Sequence, residues 1–390
     1  MKNISEEVKN THLKHLLHVE ETIFHKDAFL VAYKILRNLH MQLRKGVVDM
    51  DMLVSAKADG SPAIVFGVHP ISGKFFVGTK SVFNKTPKIN YNHDDIIKNH
   101  SHSAGLVEKL KESLEHLPKI IPKTGGIFQG DIMFGENDKI EYIDKVYFKP
   151  NTIGYSVKSD HVKYDEIRNA KFGIAIHTTY KGIPENEDSL VGMYSVFDKV
   201  SLDAHQDIHQ SDLTFKSSSL STYNYEAVDW FLSGVDIAGY KDILYTDIIR
   251  KHETLFKAFV NSKIRSGDKT TVEIYDYKQF IIAKFNKDIS NLKSVKGKDR
   301  KQFELDGILK NINEYENEIW LLTRLHNNMV AAKNHIIDGM NKSNHEYLHT
   351  INDDETHPEG YVAVLSGIPV KLVHRHVFSL LNFQQSSNRL

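Results

Sequence analysis

Met52-Leu53-Val54-Ser55-Ala56-Lys57-Ala58-Asp59-Gly60 is a short apolar run that ends in a lysine and an Asp-Gly pair. The run reads as a strand, and Asp59-Gly60 as the start of the turn that closes it. Further strands are expected at Ala63–Phe66 and Phe75–Gly78, separated by the turns Gly60-Ser61-Pro62 and Pro70-Ile71-Ser72-Gly73. Lys57 therefore stands just past a strand end, where a rigid scaffold can present a reactive side chain. An unperturbed lysine has a pKa of ~10.4, so only roughly one in a few thousand is neutral at pH 7. For Lys57 to act as a nucleophile, its pKa must be lowered by desolvation or by neighbouring cations.

Upstream, residues 8–45 read as helix, with Leu13, Leu16, Leu17, Leu30, Ala32, Ile35, Leu36 and Leu39 at helical spacing and Gly46 ending the pattern. Downstream, residues 93–117 read as helix, closed by Pro118, Pro122 and Gly125-Gly126. Strands are then expected at Ile127–Met133, Tyr147–Phe148, Ile153–Val157, Phe172–His177 and Met193–Val196. Residues 220–345 differ in kind, with long helical periods at Ala227–Leu232, Ile248–Val260, Ile308–Met329 and Val330–Met340. Strand-like runs return at Tyr361–Leu365 and Val370–Val373. The class expected is α+β with mixed antiparallel sheets. The predicted divisions are an N-terminal helical segment (1–48), a first part of a core (49–205), a helical insertion or accessory block (206–350) and the final core strands (351–390).

The chain has 390 residues, 41% of them hydrophobic, enough to build one large or two ordinary cores. Fifty basic residues balance fifty acidic ones, so a nucleic-acid site has to come from local clustering. With no cysteine, disulfides, thiolate catalysis and cysteine-based zinc sites are ruled out. No apolar run approaches ~18 residues, so no membrane-spanning helix is expected. The start, Met1-Lys2-Asn3-Ile4-Ser5, is too polar for a signal peptide, and a cytoplasmic location is expected. No Gly-x-x-x-x-Gly-Lys-Ser/Thr loop occurs, which disfavours a P-loop kinase. His205-x-x-x-His209 has helical metal-ligand spacing but lacks a third ligand and reads as no metal site.

Five pieces follow Lys57-Ala58-Asp59-Gly60 in order. They are Phe75-Phe76-Val77-Gly78-Thr79-Lys80-Ser81; Gly126-Ile127-Phe128-Gln129-Gly130-Asp131-Ile132; Lys171-Phe172-Gly173-Ile174-Ala175-Ile176; Glu359-Gly360-Tyr361-Val362; and Val370-Lys371-Leu372-Val373. Together they resemble the covalent lysine nucleotidyltransferases, the superfamily of ATP-dependent RNA and DNA ligases and capping enzymes. The resemblance covers about residues 50–200 and 355–385. Thr11–Leu16 and Lys80–Lys85 are also similar to ligase-like proteins encoded by tailed phages, which would place the chain in the host cytoplasm.

The resemblance implies an adenylylation domain of the ATP-grasp-like ligase kind. Lys57 is then the nucleophile that carries AMP, and Lys371 contacts the α-phosphate. Ala56, Asp59, Gly60, Lys80, Asp131, Phe172, Glu359 and Lys371 would bind the nucleotide, Phe172 by stacking on the base, with Tyr147, Phe148 and Tyr155 as competitors. Asp131 and Glu359 would hold Mg²⁺ or Mn²⁺, which prefers few carboxylates plus phosphates and water. Lys371 and the metal are expected to lower the pKa of Lys57. Two positions depart from the pattern: Asp131 replaces the commoner Glu, and Val373 replaces the second lysine of the last strand, so that Lys371 acts alone, Arg375 or another cation substitutes, or the enzyme is impaired. Residues 372–390 leave no room for the C-terminal oligonucleotide-binding barrel that most DNA ligases and typical capping enzymes append.

The function so implied is ATP-dependent ligation of nucleic-acid ends or nicks, of the RNA-ligase type. The alternatives are a GTP-using capping-type guanylyltransferase and a weakened nucleotidyltransferase-like protein that only binds nucleic acid. The basic run Lys293, Lys296, Lys298, Arg300 and Lys301 reads either as a phosphate-binding patch or as a solvated loop between helices.

Overall fold

The computed structural model describes residues 16–47, 49, 51–197, 200, 202–215, 223–235, 246–342, 347–351 and 354–379. Thr11–His15 lie outside them. The helix expected over 8–45 is broken where it is described: a 3₁₀ turn spans Val19–Phe24, His25 is extended, and α1 runs Lys26–Lys45. Gly46 ends α1 in the left-handed conformation (φ 70°), its N–H donating to the Gln42 carbonyl at 2.8 Å. The chain divides into two compact units: Met1–Leu16, Leu53–Phe215 and Asn344–Pro369 form one, and Leu17–Met52, Lys216–Ser343 and Val370–Leu390 form the other. Both helices and sheets contribute, and among the described residues no sheet closes into a barrel.

The first unit is built on sheets. Its central one is ordered β10 (Ile208–Gln210), β8 (Phe172–Lys181), β4 (Ile127–Phe134), β2 (Ala63–Val68) and β3 (Phe75–Gly78), with β9 (Tyr194–Val196) paired to β8. Its pairings are antiparallel except β10 with β8. Both faces of this sheet are covered, which is why its strands read as near-continuous apolar runs. Ile64, Phe66, Ile132, Phe172 and Ile174 pack with Ile96 of α2 (His93–His100) and Leu110 of α3 (Ala104–His116). Val65, Phe76, Ile127 and Tyr180 fill the other side with Leu190 and Met193. The expected 93–117 helix is thus two, separated by Ser101-His102-Ser103, with Asn92 capping α2 by accepting from the Asp95 N–H at 2.9 Å.

A second sheet is ordered β12 (Asp354–Thr356), β11 (Leu348–Ile351), β7 (Gly154–Lys158), β6 (Lys145–Phe148) and β5 (Lys139–Glu141), and the six-residue α4 (Tyr164–Asn169) follows β7. Part of the block expected to be helical thus supplies strands β10 and β11 to the first unit. A third, three-stranded sheet is ordered β1 (Met52–Ala56), β13 (Gly360–Leu365) and β14 (Ile368–Val373), and the chain passes from the first unit to the second within β14.

The second unit is helical: α1, α5 (Tyr225–Ser233), α6 (Asp247–Arg265), α7 (Ile274–Asn291), α8 (Val295–Glu314) and α9 (Glu316–Met340). α9 packs against α1, α5 and the Val19–Phe24 turn, burying Leu322, Leu325, Met329, Ile336 and Ile337 at helical spacing. No helix among the described residues is long and apolar enough to cross a membrane.

Candidate functional site

Strand pairing brings Lys57 and Glu359 together across 302 residues of sequence. Lys57 follows β1, and its N–H donates to the Gly360 carbonyl at 2.8 Å, at the first residue of β13. That register places Glu359 beside Lys57, and the Lys57 ammonium donates to Glu359 Oε2. On its other edge β1 is held by residues 213–215: the Ala56 N–H donates to the Leu213 carbonyl at 2.7 Å and the Phe215 N–H to the Val54 carbonyl at 2.8 Å.

Asp131 arrives on β4. β2 pairs Ala63 with Asp131, and the Ser61 N–H donates to the Ile132 carbonyl at 2.9 Å, so the turn after Lys57 lies against that strand. Asp131 Oδ2 is 3.7 Å from His177 Nε2. Gly60 makes the approach possible: a Cβ there would lie 2.6 Å from Asp131 Cβ and 2.9 Å from the Ile132 carbonyl oxygen. Gly60→Ala is expected to destabilise the chain by about 1–3 kcal/mol through overpacking. Urea denaturation checks this, and an unchanged midpoint would show that the turn has room.

Electrostatics at Lys57 run opposite to the sequence expectation of a lowered pKa. Burial pulls the Lys57 pKa down, but the Glu359 carboxylate with its hydrogen bond, helped by Asp131 and Asp59, outweighs burial and raises it. The pocket around the ammonium is acidic, and Lys57 is held as the cation.

Asp59 is engaged within the protein. Its Oδ1 accepts from Asn151 Nδ2 at 2.8 Å, and its Oδ2 from the N–H groups of Thr152 and Ile153 at 2.7 and 2.8 Å. Its own N–H donates to the Tyr155 hydroxyl at 2.7 Å. The role of Asp59 is to lock the turn after Lys57 onto the 151–155 segment. Burial pushes the Tyr155 phenol well above its ordinary pKa, so it stays protonated.

Phe172 is corrected. Register pairs Asp131 with Ala175, so Phe172 and Ile174 point to the opposite face of the sheet from Asp131. The Phe172 ring is fully buried in the core and stacks on His116 at 5.7 Å. Rings of another origin border Lys57. An open cleft of about 510 Å³ is lined by Ala56, Lys57 and Ala58, by Met133, and by the rings of Tyr155, Phe215, Tyr347 and His349. Tyr155 lies 5.5 Å from Tyr347 and 5.2 Å from His349, ring to ring. Tyr155 was among the sequence candidates. Phe215, Tyr347 and His349 were not, because their segments read as parts of a helical block.

Other sequence candidates fall elsewhere. Lys80 is exposed at the start of the 3₁₀ turn Lys80–Phe83. Lys371 belongs to the second unit, where its N–H donates to the Leu17 carbonyl at 3.0 Å and its charge helps lower the His18 pKa, which burial depresses first. Arg375, the candidate substitute for the lysine absent at Val373, is buried in the second unit. There it lies 3.4 Å from Glu21 and donates to Asn261 Oδ1, and Val373 itself is in the core. His209 sits on β10 with its ring nitrogens 2.7 Å from Glu166 Oε1 and from the Tyr347 hydroxyl. Among the described residues no group of three or more His, Cys, Asp or Glu side chains is placed to hold a metal ion. The basic run lies at the start of α8, with Lys293 just before the N-cap Ser294.

No curated protein and no solved structure shows significant similarity to the chain. One family model matches, over residues 10–387. The chain therefore belongs to DUF6267, a family of unknown function.

Proposed function

We propose that the chain is a covalent lysine nucleotidyltransferase of the polynucleotide-ligase type, with Lys57 as the nucleophile. The observation that carries this reading is the position of Lys57. It stands at the edge of an aromatic-lined cleft of about 510 Å³, paired with Glu359 and within the field of Asp131. An open cleft with a few convergent polar groups suits a ligand laid against its rings, and flat rings such as Tyr155 and Tyr347 suit a nucleobase.

In the proposed reaction the neutral Lys57 amine attacks the α-phosphorus of ATP. A nitrogen–phosphorus bond forms, the bond to the β-phosphate oxygen breaks, pyrophosphate leaves, and the amine loses a proton. AMP then passes to a nucleic-acid 5′-phosphate, and a 3′-OH displaces it to seal the strand. Asp131 and Glu359 are the carboxylates that would hold Mg²⁺ or Mn²⁺: both are hard oxygen donors whose charges converge on Lys57. Bound there, the cation supplies positive charge against the triphosphate. Asp59, with Tyr155, Thr152 and Ile153, keeps the turn after Lys57 fixed while its side chain reacts.

The test is self-labelling. Incubation with α-labelled ATP or GTP and Mg²⁺, then denaturation, is expected to leave label on the wild-type chain and none on Lys57→Ala. Label that survives the substitution would remove Lys57 from its role. ATP as the labelling nucleotide supports the ligase, and GTP the capping-type reaction. A second reading, a nucleotidyltransferase-like protein that binds without catalysis, is favoured by the apolar Val373 in the last strand and by the engagement of Arg375 in the second unit. A wild-type chain that takes no label from either nucleotide would select it.

A further inference from the structure

We propose that the tip of the α7–α8 hairpin is a binding surface for single-stranded nucleic acid, with Phe303 as a platform for one base. Residues 284–301 hold seven basic side chains (Lys284, Lys287, Lys293, Lys296, Lys298, Arg300 and Lys301) against two acidic ones, in a chain whose net charge is zero. A local excess of this size is an electrostatic footprint for a polyanion.

Structure separates this patch from an ordinary solvated turn in three ways. First, Lys284, Lys287, Lys293, Lys296, Lys298 and Arg300 are exposed, and Lys293, Lys296, Lys298 and Arg300 have no ion-pair partner among the described residues. Lys301 alone of the run is paired, 2.8 Å from Glu304, and it packs over the Phe285 ring at 4.8 Å. Second, the first turn of α8 carries no acidic residue. Helix N-termini are positive ends and ordinarily take acidic side chains, so Lys296 and Lys298 there add to the positive field, with Asp299 the one acid among residues 293–301. Third, Lys296, Arg300, Phe303 and Gly307 follow at helical spacing on one face, and Phe303 is 81% exposed. A phenylalanine that bare, one turn from an arginine, suits base stacking beside a phosphate contact. Gly307 adds no side chain, and its outer side is open.

An anionic lipid surface would draw on the same charge. It would also need a continuous apolar stripe, whereas Asp299, Glu304 and Asp306 interrupt the exposed face around Phe303. The nucleotidyltransferase reading supplies the use for a bound strand, but strand binding itself is measured without it.

The experiment uses the full chain and fluorescence anisotropy with a short labelled single strand and the corresponding duplex, over a series of salt concentrations. Joint replacement of Lys293, Lys296, Lys298 and Arg300 by Gln is expected to weaken binding about tenfold or more and to flatten the salt dependence. Phe303→Ala is expected to weaken single-strand binding about tenfold and leave the duplex unaffected. These side chains are exposed, and an unchanged thermal melt shows that the variants fold. Wild-type affinity and salt slope in the quadruple variant would overturn the proposal. So would capture of the wild type, but not the quadruple variant, by phosphatidylserine vesicles with no strand binding, which would assign the patch to a lipid surface. Strand binding by Lys57→Ala at wild-type strength, with no self-labelling of the wild type, would remove the proposed reaction and leave this surface standing.

Discussion

Glu20→Ala is expected to lower the stability of the folded chain by about 3–5 kcal/mol, the cost of leaving a buried charge without its partner. Glu20 and Lys333 are each 1% exposed, and the Lys333 ammonium donates to both Glu20 oxygens at 3.0 and 3.1 Å. Arg375 adds its charge at 3.9 Å from Glu20 Oε1. Burial pushes the Glu20 carboxyl up, but Lys333, His18 and Arg375 outweigh it and hold the group ionised. Burial likewise lowers the pKa of Lys333 despite Glu20. Without Glu20, two cations remain in the core of the second unit beside His18 and His326. Urea denaturation followed by circular dichroism measures the loss. Joint replacement of Glu20 and Lys333 by Met is expected to recover most of it, because the paired charges leave together. A loss below about 1 kcal/mol in the single variant would show that water reaches the cluster.

The same cluster predicts a dependence on pH. Burial, with Lys333 and Arg375 nearby, pushes the His326 pKa down to about 4 from its ordinary 6.5, against the opposing pull of Glu20. His326 is therefore neutral in the folded chain and takes up a proton more readily when unfolded. Stability contributed by this group is present above pH 6.5 and is lost as pH falls towards 4. At about 1.4 kcal/mol per unit, the full loss amounts to about 3 kcal/mol. His326→Phe, which cannot take up the proton, is expected to flatten the stability profile across that window. An equally steep profile in the variant would place the dependence on other groups.

What the sequence made legible was whatever a short run states by itself. The Lys57 turn, the acid of the apolar strand around Asp131 and the Glu359-Gly360 pair each announce themselves within a few residues. The cleft beside Lys57 does not, because its rings meet only through long-range pairing. His349 faces Tyr155 across the β11–β7 ladder, and Phe215 is set by the extended segment beside β1. Both lie in a stretch whose helical surroundings masked short strands. The misplacement of Phe172 is a question of parity. Neighbouring residues of a strand face opposite sides, and which side Phe172 takes relative to Asp131 follows from the β4–β8 register, which no local pattern encodes. The burial of Lys333 and Arg375 is written in no local pattern, because Glu20, which makes it tolerable, is separated from Lys333 by 313 residues.

Glu359→Gln is expected to change Lys57 in two opposite ways, and the pair of changes tests its assigned role. In the resting protein burial lowers the Lys57 pKa, while Glu359 leads the groups that raise it. A raised pKa means that the neutral amine, already rare at pH 7 in an ordinary lysine, is rarer here. In the proposed reaction, attack by Lys57 therefore requires the Glu359 carboxylate to release the ammonium first. Glutamine keeps the size and a hydrogen-bond acceptor but removes the charge. The Lys57 pKa should then fall, and reaction of this one lysine with a small amine-reactive reagent, followed by peptide mass spectrometry, should shift to lower pH. Self-labelling by ATP and Mg²⁺ should instead fall about tenfold or more, since one of the two carboxylates assigned to the cation is gone. A merely structural Glu359 would lose labelling with no move in the amine-reactivity profile. A general disruption of the cleft would expose Lys57 and bring its profile to that of the surface lysines, with a lowered thermal melt. Only a charge partner that restrains the nucleophile and also serves the cation gives faster amine chemistry and slower nucleotide transfer in the same folded variant.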